Sequence, residues 1–282
     1  MSEGIANFLK LLDLETIEVN IFRGQNLGNR TRVFGGQVAA QALIAAGRTT
    51  DHGRVHSLHA YFLRPGDPSI PILYQVERIR DGRSFVTRRV LAIQHGQAIF
   101  SLTCSFQDDE EGLTHQDAVA DITNPDALPP LEVPDDRRYG PALSYLEANG
   151  FDIRFIGEAP WRARPGTLKR EQLWFRAKEP LGDDPLLHAA IMTFISDLTL
   201  VSTILMRHNL SLFDTAFFGA SLDHCIWFHR PARVDRWIFY DVTSPVAYGA
   251  RGLSQGSLYD LDGTLLASCA QEGLVRIGGD NS

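Results

Sequence analysis

Residues 186–206 read Leu-Leu-His-Ala-Ala-Ile-Met-Thr-Phe-Ile-Ser-Asp-Leu-Thr-Leu-Val-Ser-Thr-Ile-Leu-Met, and the rest of the chain is organised around them. Asp183 and Asp184 supply capping chemistry at the start, and Pro185 suits a first helical position. Arg207 and His208 place cations at the negative pole of the same helix. The pattern predicts one long helix whose only formal charge is Asp197. On that helix Asp197 shares a face with Thr193, Phe194, Leu200 and Val201. A carboxylate in an apolar surface is costly unless it is paired or has a task. The two readings are a buried Asp held by hydrogen bonds to fix packing, and a reactive acid. The stretch is long enough to span a bilayer, but Asp197, His188 and several hydroxyls argue for a soluble core helix without membrane insertion.

The net charge of −7 speaks against general nucleic-acid binding. The balance is uneven: residues 1–107 carry 12 Lys/Arg and 8 Asp/Glu, so the remainder carries −11. A locally basic first half in an acidic protein suits an anionic small molecule. Cys104, Cys225 and Cys269 form neither a disulfide framework nor a closely spaced metal-ligand pair. The first residues lack a basic region followed by an apolar core, and the last three, Asp-Asn-Ser, are not a peroxisomal address. The expected location is cytoplasmic.

Taken in order, the chain opens with a short amphipathic helix on which Ile5, Phe8, Leu9 and Leu12 share a face. Residues 16–23 alternate like one strand, and residues 34–47 form an alanine-rich helix that Gly47 ends. The period then changes to two. Residues 56–64, 72–80, 85–95 and 97–107 are strand candidates, with tight turns at Asp81-Gly82 and His95-Gly96. Residues 108–165 are acidic and then proline-rich, a connector with one short helix near residues 141–148. Residues 171–178 read as a strand, followed by the long helix and strands at 221–230, 237–244, 249–260 and 265–276. The element order of the first half therefore repeats. Phe62-Leu-Arg-Pro65 answers to Phe228-His-Arg-Pro231 at a spacing of 166 residues, and Ser57 and Gln107 answer to Ser221 and Gln271 at 164. The chain reads as α+β, a unit duplicated in tandem, with residues 1–107 and 166–282 joined by the connector at 108–165.

Gly252-Leu-Ser-Gln-Gly256 matches a hydrolase nucleophile motif, but Ser254 lies in an alternating run and no histidine follows His229. His56 and His59 face opposite sides of a strand and cannot chelate together, and His224 and His229 fail the same test. No phosphate loop or zinc spacing occurs. Three polar residues remain inside apolar elements: Asp197 on the helix, Ser221 at a strand start and Gln271 near a strand end. Carboxylate, hydroxyl and amide together can hold a water, the carboxylate taking its proton while the other two fix its direction.

Several segments are similar to those of a known family: Arg32-Val-Phe-Gly-Gly-Gln37, His56-Ser-Leu-His-Ala-Tyr-Phe-Leu-Arg-Pro-Gly66, Ser196-Asp-Leu198, Asp223-His-Cys-Ile-Trp-Phe-His-Arg-Pro231 and Ala270-Gln-Glu-Gly273. Over nearly its full length the chain resembles the acyl-CoA thioesterase II family of double-hotdog enzymes. The resemblance implies two hotdog units, each a long helix wrapped by an antiparallel sheet, joined into one β surface. It implies hydrolysis of acyl-CoA to free acid and CoA by direct attack of water, with no metal or bound cofactor. The family's catalytic Asp, Thr or Ser, and Gln fall on Asp197, Ser221 and Gln271; many members carry Thr where this chain has Ser221. The first helix has no acid matching Asp197, so one active site per chain is expected. Arg64 and the arginines of residues 78–89 are candidates for phosphate contacts, and a homo-oligomer, dimer or tetramer, is expected. The alternatives are a non-catalytic acyl-CoA sensor and an enoyl-CoA hydratase-like enzyme of the same fold, which would need an Asp/His acid–base pair.

Overall fold

The computed structural model describes residues 2–26, 32–119, 122–132, 141–159, 169–208, 210 and 217–278. Parts of the expected connector, residues 120–121, 133–140 and 160–165, lie outside the described residues, as do residues 166–168 and 279–282.

Helix α1 (Glu3–Leu12) buries Ile5, Phe8, Leu11 and Leu12. The run expected as one strand is a hairpin, β1 (Glu15–Glu18) and β2 (Ile21–Gly24), because Asn20 turns the chain at φ 62°. Helix α2 (Gly35–Gly47) is buried from Gly36 to Ala46. Strands β3 (Arg54–Phe62), β4 (Ile72–Asp81), β5 (Phe85–Gln94) and β6 (Gln97–Gln107) follow. His95 and Gly96 both adopt positive φ, the backbone a two-residue hairpin between β5 and β6 demands.

Helix α3 (Pro141–Ala148) occupies the position expected within the connector. The connector also contains a strand that composition concealed: β7 (Phe151–Phe155), whose Phe151, Ile153 and Phe155 alternate into the core. It pairs with β8 (Arg170–Ala177). The stretch expected as one helix is two, α4 (Pro185–Ser196) and α5 (Leu200–Met206), broken at Asp197–Thr199. Asp184 caps α4, accepting from the Leu186 N–H at 2.9 Å. Most residues between Pro185 and Met206 are buried inside the protein, which places the segment as core. The run expected as one strand from Ser221 is interrupted at Leu222 into β9 (Phe217–Ser221) and β10 (Asp223–Phe228). Strands β11 (Ile238–Tyr248), β12 (Arg251–Tyr259) and β13 (Leu265–Ile277) complete the chain.

All strands join one antiparallel sheet in the order β1-β2-β4-β5-β6-β3-β10-β13-β12-β11-β8-β7, with β9 also on β13. The two halves meet where β3 pairs with β10, His59 opposite Cys225. The sheet wraps both central helices. Helix α2 packs on α4, and α5 packs on β11, β12 and β13. This is a double hotdog of class α+β, as expected. The helices approach closely because the contact residues are small: a Cβ on Gly36 would stand 2.4 Å from the Phe194 carbonyl oxygen. Each large side chain removed from water here, such as Leu43, Phe194 or Ile195, contributes about 1.5–3 kcal/mol.

One carboxylate in this core belongs to neither unit's apolar logic. Glu171 on β8 is 3% exposed and accepts from Ser202 and Thr203 in the first turn of α5 at 3.0 and 3.1 Å. Loss of hydration pushes its pKa up to about 7, against the pull of the two hydroxyls. In the unfolded chain it ionises near the usual glutamate value. Its contribution to stability is therefore full below that value and is lost as pH rises through about 7. Replacement by Gln should shift the balance in the variant's favour between pH 5 and pH 8, by on the order of 2 kcal/mol. Thermal unfolding of both proteins at the two pH values checks this; parallel responses would contradict it.

Candidate active site

Breaking the long helix at Asp197 is what turns that residue inward to a shared point. Asp197 is the C-terminal cap of α4, and the turn is held by its neighbours. The Leu198 N–H reaches the Ile195 carbonyl at 3.0 Å, and the buried Tyr240 hydroxyl on β11 donates to the Ser196 carbonyl at 2.7 Å. From the other side, Ser254 on β12 donates to the Leu200 carbonyl at 2.7 Å and fixes the start of α5. Ser254 is thus a buried structural hydroxyl, in line with its rejection as a nucleophile.

The sheet delivers the other two residues. Ser221 ends β9 opposite Gly273 on β13, and Gln271 lies two residues back along β13. The Ser221 hydroxyl donates to Asp197 Oδ1 at 3.2 Å, and the Gln271 amide nitrogen donates to the Ser221 Oγ at 2.9 Å. The three residues singled out from sequence therefore adjoin one another. Asp197 is 7% exposed and Gln271 fully buried.

The electrostatics follow from that enclosure. Burial raises the Asp197 pKa to about 7. Hydrogen bonds from the Gln271 side chain, the Gly36 backbone N–H and Ser221 lower it, but only in part. Gly36 lies in the first turn of α2, where helix N–H groups have no partner within the helix and the dipole favours negative charge. So the first unit contributes a helix start and the second a carboxylate. A Cβ on Gly35 would lie 2.7 Å from Asp197 Oδ2, which shows how close that helix start comes. Sequence reasoning saw the two glycines only as a motif; their contact with Asp197 joins opposite halves of the chain.

A fourth residue was missed as a site component. His224 is fully buried and sits 2.8 Å from Gln271 Oε1 through Nδ1, and 2.9 Å from the Ser196 Oγ through Nε2. Its neighbour Asp223 turns away and accepts from the Glu272 N–H at 2.7 Å.

The strand registers also correct the sequence spacing. His59 pairs with Thr103 and Cys225 with Ala270, so the two units correspond at 166 residues on the paired strands and 167 on the next. The counterpart of Ser221 is then Val55 and that of Gln271 is Cys104, instead of Ser57 and Gln107. At the end of α2 the capping position holds Arg48, which binds Asp13 and the Leu14 carbonyl. A cleft of about 410 Å³ opens at that end of the helix pair, lined by Gly47, Val55, Phe106, Leu186 and Met192 among others. Its lining includes Thr50, Asp51, Gln107 and Asp108, but the positions equivalent to Asp197, Ser221 and Gln271 hold Arg48, Val55 and Cys104. Among the described residues, the first unit does not repeat the constellation at its equivalent positions.

The arginines expected at phosphates divide. Arg88 is 1% exposed and bound to Thr49, Asp81 and the Arg80 carbonyl, so it is a core residue and is removed from that group. Arg78 donates to Asn20, and Arg89 pairs with Glu77 on the surface. Arg64 donates to the Ala98 carbonyl at 2.7 Å. Among the described residues there is no cluster of three His, Cys, Asp or Glu able to hold a metal ion.

Comparison with known proteins agrees with this architecture. Residues 152–274 match the family model described as acyl-CoA thioesterase, and residues 25–107 match the acyl-CoA thioesterase N-terminal domain. The chain is 37% identical to acyl-coenzyme A thioesterase 8 of Homo sapiens, over 95% of this chain and 88% of that protein. It is 38% identical to acyl-CoA thioesterase 2 of Haemophilus influenzae, over 98% and 99% respectively. Its fold is similar to that of an acyl-CoA thioesterase II from Mycobacterium marinum, with a TM-score of 0.81, 41% identity and coverage of 98% and 99%.

The tight helix contact yields a prediction. Gly36→Ala forces a methyl against backbone and should destabilise the fold by about 1–3 kcal/mol. Denaturant unfolding measures it, and an unchanged midpoint would contradict the close approach. With the helix contact, the three adjoining side chains and the relatives considered together, the chain belongs to the acyl-CoA thioesterase family.

Proposed function

We propose that this chain hydrolyses fatty acyl-CoA to free fatty acid and CoA, using a water held by Asp197, Ser221 and Gln271. The observation that carries the reading is a carboxylate with a pKa near 7 within hydrogen-bond reach of the Ser221 hydroxyl and beside the Gln271 amide. A base poised near the working pH is half ionised and still able to take a proton.

The chemistry follows from those groups. The ionised Asp197 accepts a proton from the water as its oxygen attacks the thioester carbonyl carbon. The carbonyl π electrons move onto oxygen, and donors aimed at that oxygen stabilise the charge. The first turn of α2, which already offers the Gly36 N–H here, supports a role for its free N–H groups. Collapse of the intermediate breaks the carbon–sulfur bond, and the proton on Asp197 passes to the departing thiolate. Phe34, Phe62 and Phe194 surround the start of α2 and favour an apolar acyl chain over a polar one. The same reading includes self-association, because among the described residues the sheet ends in the edge strands β1 and β7 with no further strand beside them.

The test is release of free thiol from acyl-CoA of several chain lengths without added metal. Asp197→Ala should lower kcat by about 10³-fold or more while the protein stays folded. For the intact enzyme, kcat should be full above about pH 7 and fall as Asp197 is protonated below it. Tight binding of acyl-CoA with no thiol release would favour the sensor, and water addition to an enoyl-CoA would favour the hydratase.

A further inference from the structure

An amide side chain is symmetrical in shape and asymmetrical in chemistry, so something must choose which end of Gln271 faces the reaction. Ionised Asp197 can only accept, and the Gln271 amide donates toward it. That requirement puts the Gln271 nitrogen toward Asp197 and Ser221, and its oxygen toward His224. The oxygen also only accepts, so the His224 Nδ1, 2.8 Å away, must carry a proton. A neutral imidazole then has a bare Nε2, which accepts from the Ser196 hydroxyl at 2.9 Å. The Ser196 Oγ also lies 3.0 Å from the Thr193 carbonyl, but a single hydroxyl proton serves one partner, and among the described residues no other donor reaches the bare nitrogen. Burial holds His224 neutral, lowering its pKa to about 4 against the Gln271 hydrogen bond. Every bond in the series Ser196, His224, Gln271, Ser221, Asp197 therefore has one direction.

We propose that His224 is a positioning residue for the hydrolysis: through Gln271 it fixes the direction of the amide that, with Asp197 and Ser221, holds the attacking water. The inference rests on the three-residue water site of the preceding subsection. Without the Nδ1–H, the Gln271 oxygen loses its donor and the amide can flip. A flipped amide presents an oxygen to the carboxylate, repels it and misdirects the water. The cost falls on turnover, since His224 is fully buried between Ser196 and Gln271, away from the surface that an incoming substrate meets.

The test has two arms. In the first, histidine-labelled protein is observed by nitrogen NMR above about pH 8, where Asp197 is ionised. His224 should be the neutral Nδ1–H form; an Nε2–H form or a charged ring overturns the proposal. In the second, thiol release is measured for His224→Leu, which removes the donor, and His224→Asn, whose amide nitrogen can replace Nδ1. His224→Leu should lower kcat by about 100-fold with KM within about twofold, a loss of the size expected for a misdirected reactant. His224→Asn should recover at least about tenfold of that. In a Gln271→Ala background, His224→Leu should cost less than about twofold more, because its effect passes through the amide. Should His224→Leu not fold, Ser196→Ala takes its place, with a loss of several-fold in kcat that also disappears in the Gln271→Ala background. Full additive losses on an impaired Gln271→Ala enzyme, or His224→Asn no better than His224→Leu, overturn the positioning role alone. A Gln271→Ala enzyme with normal kcat overturns the water site itself, and the role of His224 falls with it.

Discussion

The Asp197 carboxylate loses its hydration when the break between α4 and α5 encloses it, and the donors around it restore only part of what water supplied. The remaining deficit keeps its pKa near 7. Each donor comes from a different place: Gly36 from the first unit's helix, Ser221 from the end of β9, Gln271 from β13. None of the three can be in position unless the two helices pack antiparallel and the sheet wraps both. The fold is thus the means by which distant segments reach one acid.

The cost of that arrangement is visible in the core. Asp197 and Glu171 are both buried with no paired cation among the described residues, and both have pKa values raised by lost hydration. Both weaken the folded state as pH rises toward 7. Glu171 is answered by two hydroxyls at the start of α5, which secures the segment that follows the break. A protein that retained such groups for stability alone would do better with apolar ones.

The duplication shows why the first unit does not repeat this arrangement. Both units supply a helix end and a pair of strands at equivalent registers. In one place these carry Asp197, Ser221 and Gln271; in the other they carry Arg48, Val55 and Cys104. The first unit keeps its part in the site by lending the Gly35–Gly36 turn. The asymmetry lies in these side chains and in the backbone breaks of the second unit, α4 from α5 and β9 from β10, where the first unit has a single helix α2 and a continuous strand β3.

Much of this was legible in the sequence, and the failures are instructive. Alternation located β3 to β6 and β11 to β13 because their inner faces are buried and their outer faces wet. Asp197 stood out because a lone charge in an apolar run is costly unless it is paired or has a task. The break after it was hidden, since Leu198 and Thr199 have no breaker chemistry and tertiary bonds from Tyr240 and Ser254 impose the turn. Spacing misled on Ser57 and Gln107 because strand registers, with their bulges, shift equivalence by two or three residues. His224 was passed over because its value lies in two partners far along the chain. The measurement that bears most directly on the account is the carbon-13 shift of the Asp197 carboxyl followed against pH. A midpoint near pH 7 is the predicted result; a midpoint in the ordinary aspartate range would contradict it.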